Sequence, residues 1–285
     1  MSIFDAIIME ANERAKAAAG SDPSDYMGTD GLLYCGRCNT PKQCRHTAFS
    51  KEYVLYVMCQ CRKDAERAAE ATQKRREELD RIAELRAAGF PDAEMRHWTF
   101  DADDRANAGL STVASRYVQN WQTMRDAGKG LILFGAVGTG KTFAAACIAN
   151  ALIDAGYAVL MTNFTRLTNA LQSAQDKQRV LDDVARYDLL IIDDLAAERD
   201  TEYMGEMVQS IIDARYRSKR PLIVTTNLSA AELKNPQDIR RQRIYSRLLE
   251  MCIPYEVNGA DRRRQIFRRD YGTYEKMLGI GGNEQ

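Results

Sequence analysis

The run Leu131-Ile-Leu-Phe-Gly-Ala-Val-Gly-Thr-Gly-Lys-Thr142 constrains this chain more than any other stretch. Four apolar residues of β type lead into the pattern Gly-x-x-x-x-Gly-Lys-Thr, with Gly135, Gly140, Lys141 and Thr142 at its fixed positions. Glycine lets a backbone curl until successive N–H groups face phosphate oxygens. The curl here would comprise Gly135, Ala136, Val137, Gly138, Thr139 and Gly140. Lys141 would then reach the β/γ-phosphates, and the Thr142 hydroxyl would ligate Mg²⁺. An Ala-rich stretch from Phe143 to Leu152 predicts a helix starting near Lys141, whose positive N-terminal dipole favours the same anion. An ordinary glycine turn requires neither the strand before nor the helix after. The pattern implies a bound nucleoside triphosphate, ATP or its product ADP, together with Mg²⁺.

Composition narrows the remaining choices. A chain of 285 residues has room for one large domain, or for a medium one with an appendage. Forty basic residues balance forty acidic ones, so any nucleic-acid contact must come from a local patch. No apolar run approaches a membrane span, and Met-Ser-Ile-Phe-Asp is not a secretory signal. Seven unevenly placed cysteines do not form a disulfide framework in a chain of this size, so a cytoplasmic protein without membrane contact is expected.

The chain reads as three stretches: residues 1–61 with a helical start and a cysteine-rich module, a charged helical linker over 62–91, and an α/β domain over 92–285. The linker carries only a weak apolar stripe, Leu79, Ile82 and Leu85, and ends at Gly89-Phe90-Pro91. Beyond it, strands over 131–134, 158–162, 189–193, 222–226 and 252–257 alternate with helices. The clearest helix starts at Thr201 and runs to Ser218, with Met204, Met207, Val208, Ile211, Ile212 and Arg215-Tyr216 at the helical period. Such alternation predicts a central parallel five-stranded sheet flanked by helices.

Two of those strands end in chemistry. Leu189-Leu-Ile-Ile-Asp193-Asp194 delivers paired acids to a strand's carboxyl end, where the phosphate loop also lies. Asp193 would hold Mg²⁺ through water, and Asp194 would polarise the attacking water. Leu222-Ile-Val-Thr-Thr-Asn227 places an amide at the corresponding end, either as a turn former or to orient that water.

Five of the cysteines fall within residues 31–61. Cys35-Gly-Arg-Cys38 and Cys59-Gln-Cys61 form two knuckles able to close a tetrahedral Zn²⁺ site, with Cys44 and His46 as spare ligands. The strand-like run Tyr53–Met58 suits a ribbon hairpin between them. Arg37, Lys42, Arg45 and Lys51 interleave with Tyr34, Phe49, Tyr53 and Tyr56. That mixture suits stacking on single-stranded nucleic acid, while a small metal-stabilised core accounts for the aromatics equally well; docking of a partner protein is the preferred role of the module.

The phosphate loop, the Asp193-Asp194 strand, Ile223-Val-Thr-Thr-Asn-Leu-Ser229 and the approach Trp98-Thr-Phe100-Asp101 with Gly128-Lys-Gly130 together resemble the DnaC/DnaI/IstB-like branch of AAA+ ATPases. The resemblance implies a Walker A motif at the loop, a Walker B motif at Asp193 and Asp194, and Asn227 as sensor 1. It also implies an arginine finger, matched by Arg247 in Arg243-Ile-Tyr-Ser-Arg247, and a sensor-2 arginine, best matched by Arg263 with Arg262 or Arg264 as alternatives. A guanidinium from a neighbouring subunit accelerates phosphoryl transfer by about 10³ to 10⁵, so self-association through the AAA+ domain is expected. Arg240, Arg241, Arg243, Arg247 and the three sensor-2 candidates would otherwise form a solvated basic face. Two departures from the broad pattern are Asp194 in place of a glutamate and Ala196 in place of a glycine.

By the same resemblance, the expected function is an ATP-dependent helicase loader, with a hexameric replicative DNA helicase and single-stranded DNA as partners. A transposase-helper ATPase of the IstB type, a P-loop small-molecule kinase and a nucleotide-gated binding protein with negligible turnover are the competing readings.

Overall fold

The computed structural model describes residues 3–48, 50–90, 92–195, 202–236 and 238–278. Phe49, Pro91, Ala196 and Thr201 lie outside the described residues, as does the side chain of Met204. The chain divides into two compact units, Met1–Asp80 and Arg81–Gln285, and the division falls inside a single helix, α2 (Gln60–Gly89), which is preceded by α1 (Ile3–Ala19). The reason is visible in the weak stripe: Ile82 and Leu85 pack on the core of the second unit, whereas Leu79 stays exposed.

The first unit is built from α1 and two small antiparallel ribbons. One pairs β1 (Tyr26–Met27) with β2 (Leu33–Tyr34), and the other pairs β3 (Gln43–Ala48) with β4 (Lys51–Tyr56). α1 ties to β4 through polar groups: Tyr56 N–H donates to the Asn12 amide oxygen at 2.7 Å and the Tyr53 hydroxyl to Asp5 at 2.6 Å. Lys42 and Asp25 form a nearly fully buried ion pair, Nζ to Oδ2 2.5 Å. Asp25 also accepts the Gly36 amide, so this pair anchors the loop carrying Cys35 and Cys38. Lys42 holds the Asp25 carboxyl below its ordinary range, the expected cost offset for a buried charge that keeps its partner.

In the second unit, five parallel strands run in the order β6-β7-β8-β5-β9. They are β5 (Gly130–Phe134), β6 (Val159–Asn163), β7 (Leu189–Leu195), β8 (Leu222–Thr226) and β9 (Cys252–Glu256). β5 and β8 are buried throughout, and alternate residues serve opposite faces. Leu131, Leu133, Leu189, Ile191 and Ile223 join one core, with α3 (Ala108–Gln119), α4 (Trp121–Asp126) and α5 (Lys141–Asp154). Ile132, Phe134, Leu190, Ile192, Leu222 and Val224 join the other, with α6 (Phe164–Ser173), α7 (Lys177–Arg186), α8 (Glu202–Ser218), α9 (Ala230–Lys234) and α10 (Ile239–Met251). α11 (Arg262–Leu278) follows β9. The Ala-rich composition of α5 has a packing cause: Ala144, Ala145, Ala146 and Ala149 are buried against the sheet, where bulk would hold the helix off.

The fully buried Arg215 lies on the inner face of α8 and, among the described residues, donates only to backbone carbonyls: Pro221, Ala185, Tyr187 and Asp188. These belong to the end of α7, the start of β7 and the entry to β8, so one side chain sets where two central strands begin. Burial pushes its pKa down to about 9, still above neutrality. Arg215→Ala would strand several buried acceptors at once and is expected to cost about 3 kcal/mol or more in a urea titration.

Candidate nucleotide site and thiol cluster

β5, β8 and β7 are neighbours, so their carboxyl ends bring the loop after Phe134, Asn227 and the Asp193-Asp194 pair to one edge. The loop's shape depends on glycine: Gly135 has φ 131° and Gly138 φ 78°, and a Cβ on Gly138 would lie 2.0 Å from the Asp261 carboxylate. Gly140 sits at the N-cap of α5 with φ 95° and no side-chain cap. The first-turn N–H groups of α5 thus point to the cavity with no protein side chain capping them, which suits an anion.

Around this loop the predicted residues meet. The Thr142 hydroxyl donates to Asp193 Oδ1 at 2.9 Å, and the Thr225 hydroxyl donates to the same oxygen at 2.5 Å. The Asp194 amide returns to the Thr225 hydroxyl at 2.9 Å. Lys141, only 6 % exposed, donates to the carbonyls of Gly135 and Ala136 and to Asn227 Oδ1 at 2.9 Å. The Asn227 amide nitrogen donates to Asp194 at 3.0 Å. β7 breaks register between Ile192 and Leu195, and Asp194 has φ 61°, so the bulge turns its carboxylate out of the strand toward Asn227. Burial lowers the pKa of Lys141, and burial together with the Asp193 charge raises that of Asp194.

These residues line a cavity of 430 Å³ that also takes in Val137, Gly138, Thr139, Gly140, Phe143, Arg262 and Arg263. Its other wall is Met95 and Trp98, with the Trp98 and Phe143 rings 5.9 Å apart. Of the three sensor-2 candidates, Arg264 pairs with Asp261 and does not line the cavity. Arg262 pairs with Asp104 at 2.6 Å and lies over the Phe143 ring, whereas Arg263 lines the cavity within reach of the Asp194 charge. Arg247 is elsewhere: on α10, it pairs with Asp213 of α8 at 2.5 Å beside the Tyr216 ring. It does not line this chain's own cavity.

In the first unit, the sulfur atoms of Cys35, Cys38, Cys59 and Cys61 all lie within 4.8 Å of one another. Two of the gaps, 3.7 Å for Cys35–Cys61 and 3.4 Å for Cys59–Cys61, are close to the ~3.8 Å edge of a tetrahedron with Zn–S bonds of about 2.3 Å. The donor set therefore fits zinc. The short Cys-x-Cys spacing works because Cys61 stands in the first turn of α2, whose helical curl turns its thiol back toward Cys59. The Thr40 hydroxyl and the Cys61 amide lower the pKa of Cys38, whereas the neighbouring Cys59 and Cys38 thiols raise that of Cys61. Cys44 and His46 lie on β3 and are not in the group. The basic side chains nearby are engaged inside the unit: Arg37 with Asp22, Lys42 with Asp25, Lys51 with Asp5, and Arg45 with the Asp30 carbonyl. Those contacts favour the small-core reading over base stacking.

Met95, Trp98 and Thr225 complete the site beyond the residues predicted for it. Trp98 and Thr225 stand inside motifs that carry the family resemblance, but Met95 carries no local signal.

A phosphate loop, an acid pair and an asparagine on the carboxyl edge of five parallel strands define an AAA+ P-loop ATPase. The family model described as IstB-like ATP binding protein matches residues 42–269. The chain belongs to that family, the DnaC/DnaI/IstB-like branch, and this membership replaces the small-molecule kinase reading. The replicative helicase loader DnaI of Bacillus subtilis is 32% identical over 150 residues, 48% of either chain. A putative insertion sequence ATP-binding protein of Sinorhizobium fredii is 32% identical over 143 residues, again 48% of either. The chain thus spans about half the length of the curated relatives it matches. A crystal structure of DnaI aligns with TM-score 0.52 and 24% identity, covering 62% of this chain and 98% of that one. No helix among the described residues is long and apolar enough to cross a membrane.

Elemental analysis of protein purified without added metal is expected to give one zinc per chain. Cys61→Ser should lower that content at least severalfold.

Proposed function

We propose that this protein is an ATP-dependent helicase loader: it engages a hexameric replicative DNA helicase, helps place it on single-stranded DNA, and uses ATP hydrolysis to time release. The observation that carries this reading is a four-thiol module in the same chain as an AAA+ core that is similar to a helicase loader. A cytoplasmic location accords with that role.

The site suggests a division of labour. ATP would place its phosphates over the loop and its nucleoside against Met95, Trp98 and Phe143. Thr142 and Asp193 would hold Mg²⁺, which supplies charge neutralisation when bound. Asp194 and Asn227, already hydrogen-bonded to each other, would orient and polarise the attacking water. Arg263 would contact the phosphates from within the chain. Arg247 would act on a neighbour's nucleotide, since it does not line its own cavity. Hydrolysis therefore requires self-association through the AAA+ domain. Cys35, Cys38, Cys59 and Cys61 would hold Zn²⁺ as a structural ion, leaving the module's outer face for partner docking.

The relative from Sinorhizobium fredii supports a second reading, an ATPase that assists a transposase. Pull-down in the presence of ATP distinguishes them: recovery of a purified hexameric helicase supports the loader, and recovery of a transposase in its place overturns it.

Two variants test the chemistry. Arg247→Ala should keep ATP affinity within about twofold but lower turnover of the assembled protein by about 10³. Asp194→Asn should lower turnover by about 10² or more. Because the folded chain raises the Asp194 pKa, the stability attached to this group falls as pH climbs from its ordinary range through the raised value. Asn tolerates the positive φ at this position, so the ligand-free Asp194→Asn protein should melt no lower than the native one at neutral pH, measured by scanning calorimetry.

A further inference from the structure

The wall formed by Met95 and Trp98 has no strand or long helix of its own. It is a single 3-10 turn, Glu94–His97, followed by Trp98. Asn150 holds it from behind. This residue sits on α5, nine positions after Lys141, and is only 1 % exposed. Its amide nitrogen donates to the Met95 carbonyl at 2.9 Å and to the Trp98 carbonyl at 2.9 Å, and it also lies 3.1 Å from the Ala146 carbonyl. Both tethered residues line the cavity, while Asn150 does not. The amide oxygen of Asn150 is buried without a partner among the described residues. A buried polar group left half satisfied costs stability that an apolar residue on this Ala-rich helix would avoid. What the amide provides instead is a fixed distance between the helix under the phosphates and the wall beside the nucleoside.

We propose that Asn150 is a positioning residue for nucleoside recognition: it fixes the Met95–Trp98 wall to the phosphate-loop helix, so that base and triphosphate are gripped at a set separation. This rests on the nucleotide reading above. Its consequence is a split between ligands. A nucleoside triphosphate uses both ends of the cavity, whereas inorganic tripolyphosphate uses only the loop, Lys141 and Arg263. Losing two hydrogen bonds leaves the wall held to α5 by side-chain packing alone, chiefly the Trp98–Phe143 ring contact, which loosens the wall and leaves the loop in place.

The test is isothermal titration of the full-length chain with Mg·ATP and with Mg·tripolyphosphate. Asn150→Ala should weaken ATP about tenfold or more while tripolyphosphate binding stays within twofold. Asn150→Leu, close in size and without any donor, should show the same split. Circular dichroism and a retained tripolyphosphate affinity exclude simple unfolding. Equal weakening of both ligands, or unchanged ATP binding by both variants, overturns the positioning role. A native chain that binds neither ligand overturns the nucleotide reading itself.

Discussion

Two hydroxyl groups share one carboxylate oxygen, and the site depends on that meeting. Thr142 begins α5, Thr225 lies on β8 and Asp193 ends the regular part of β7, yet both hydroxyls donate to Asp193 Oδ1. The bond locks the phosphate loop to the strand two places away in the sheet. Beyond Asp193 the strand bulges, and Asp194 turns out of it to meet Asn227. Lys141 closes the circuit through the Asn227 oxygen. Three strand ends separated by long stretches of sequence thus behave as one polar network, and each member fixes its neighbour's rotamer.

The sheet beneath that network is held by a different device. Arg215 gathers carbonyls from the ends of α7, β7 and β8 at the opposite edge, where the strands start. A central strand pinned at its start and hydrogen-bonded at its finish has little freedom to slide, so the acid pair keeps its height relative to the loop. The first unit solves a similar problem with less material. Its buried Lys42–Asp25 pair and the four thiols share the work that a larger apolar core does in the second unit.

Much of this was legible in the sequence because the strands are short, continuous and apolar. All five lie within two residues of their expected bounds, and the phosphate loop and acid pair follow directly from strand ends. What escaped notice is long-range and backbone-directed. Asn150 reads as an unremarked polar residue within a helix, since its partners are carbonyls some fifty residues earlier and carbonyls leave no trace in residue identity. Asp213 and Asp104 were invisible as arginine partners for the same reason: charge pairing between distant helices has no period. That Arg262 is paired likewise depends on Asp104, far upstream on the chain.

Lys141 already has oxygen atoms around it, two loop carbonyls and the Asn227 amide, before any triphosphate is considered. Its ammonium acts as an internal template, bonding both loop carbonyls and so holding the curl of the loop. An incoming anion then substitutes for neutral acceptors at a charge already in position, so capture demands a change of bonding partners and little ordering of chain. The entropy of shaping this loop was spent during folding, and encounter with the ligand is left free of that cost.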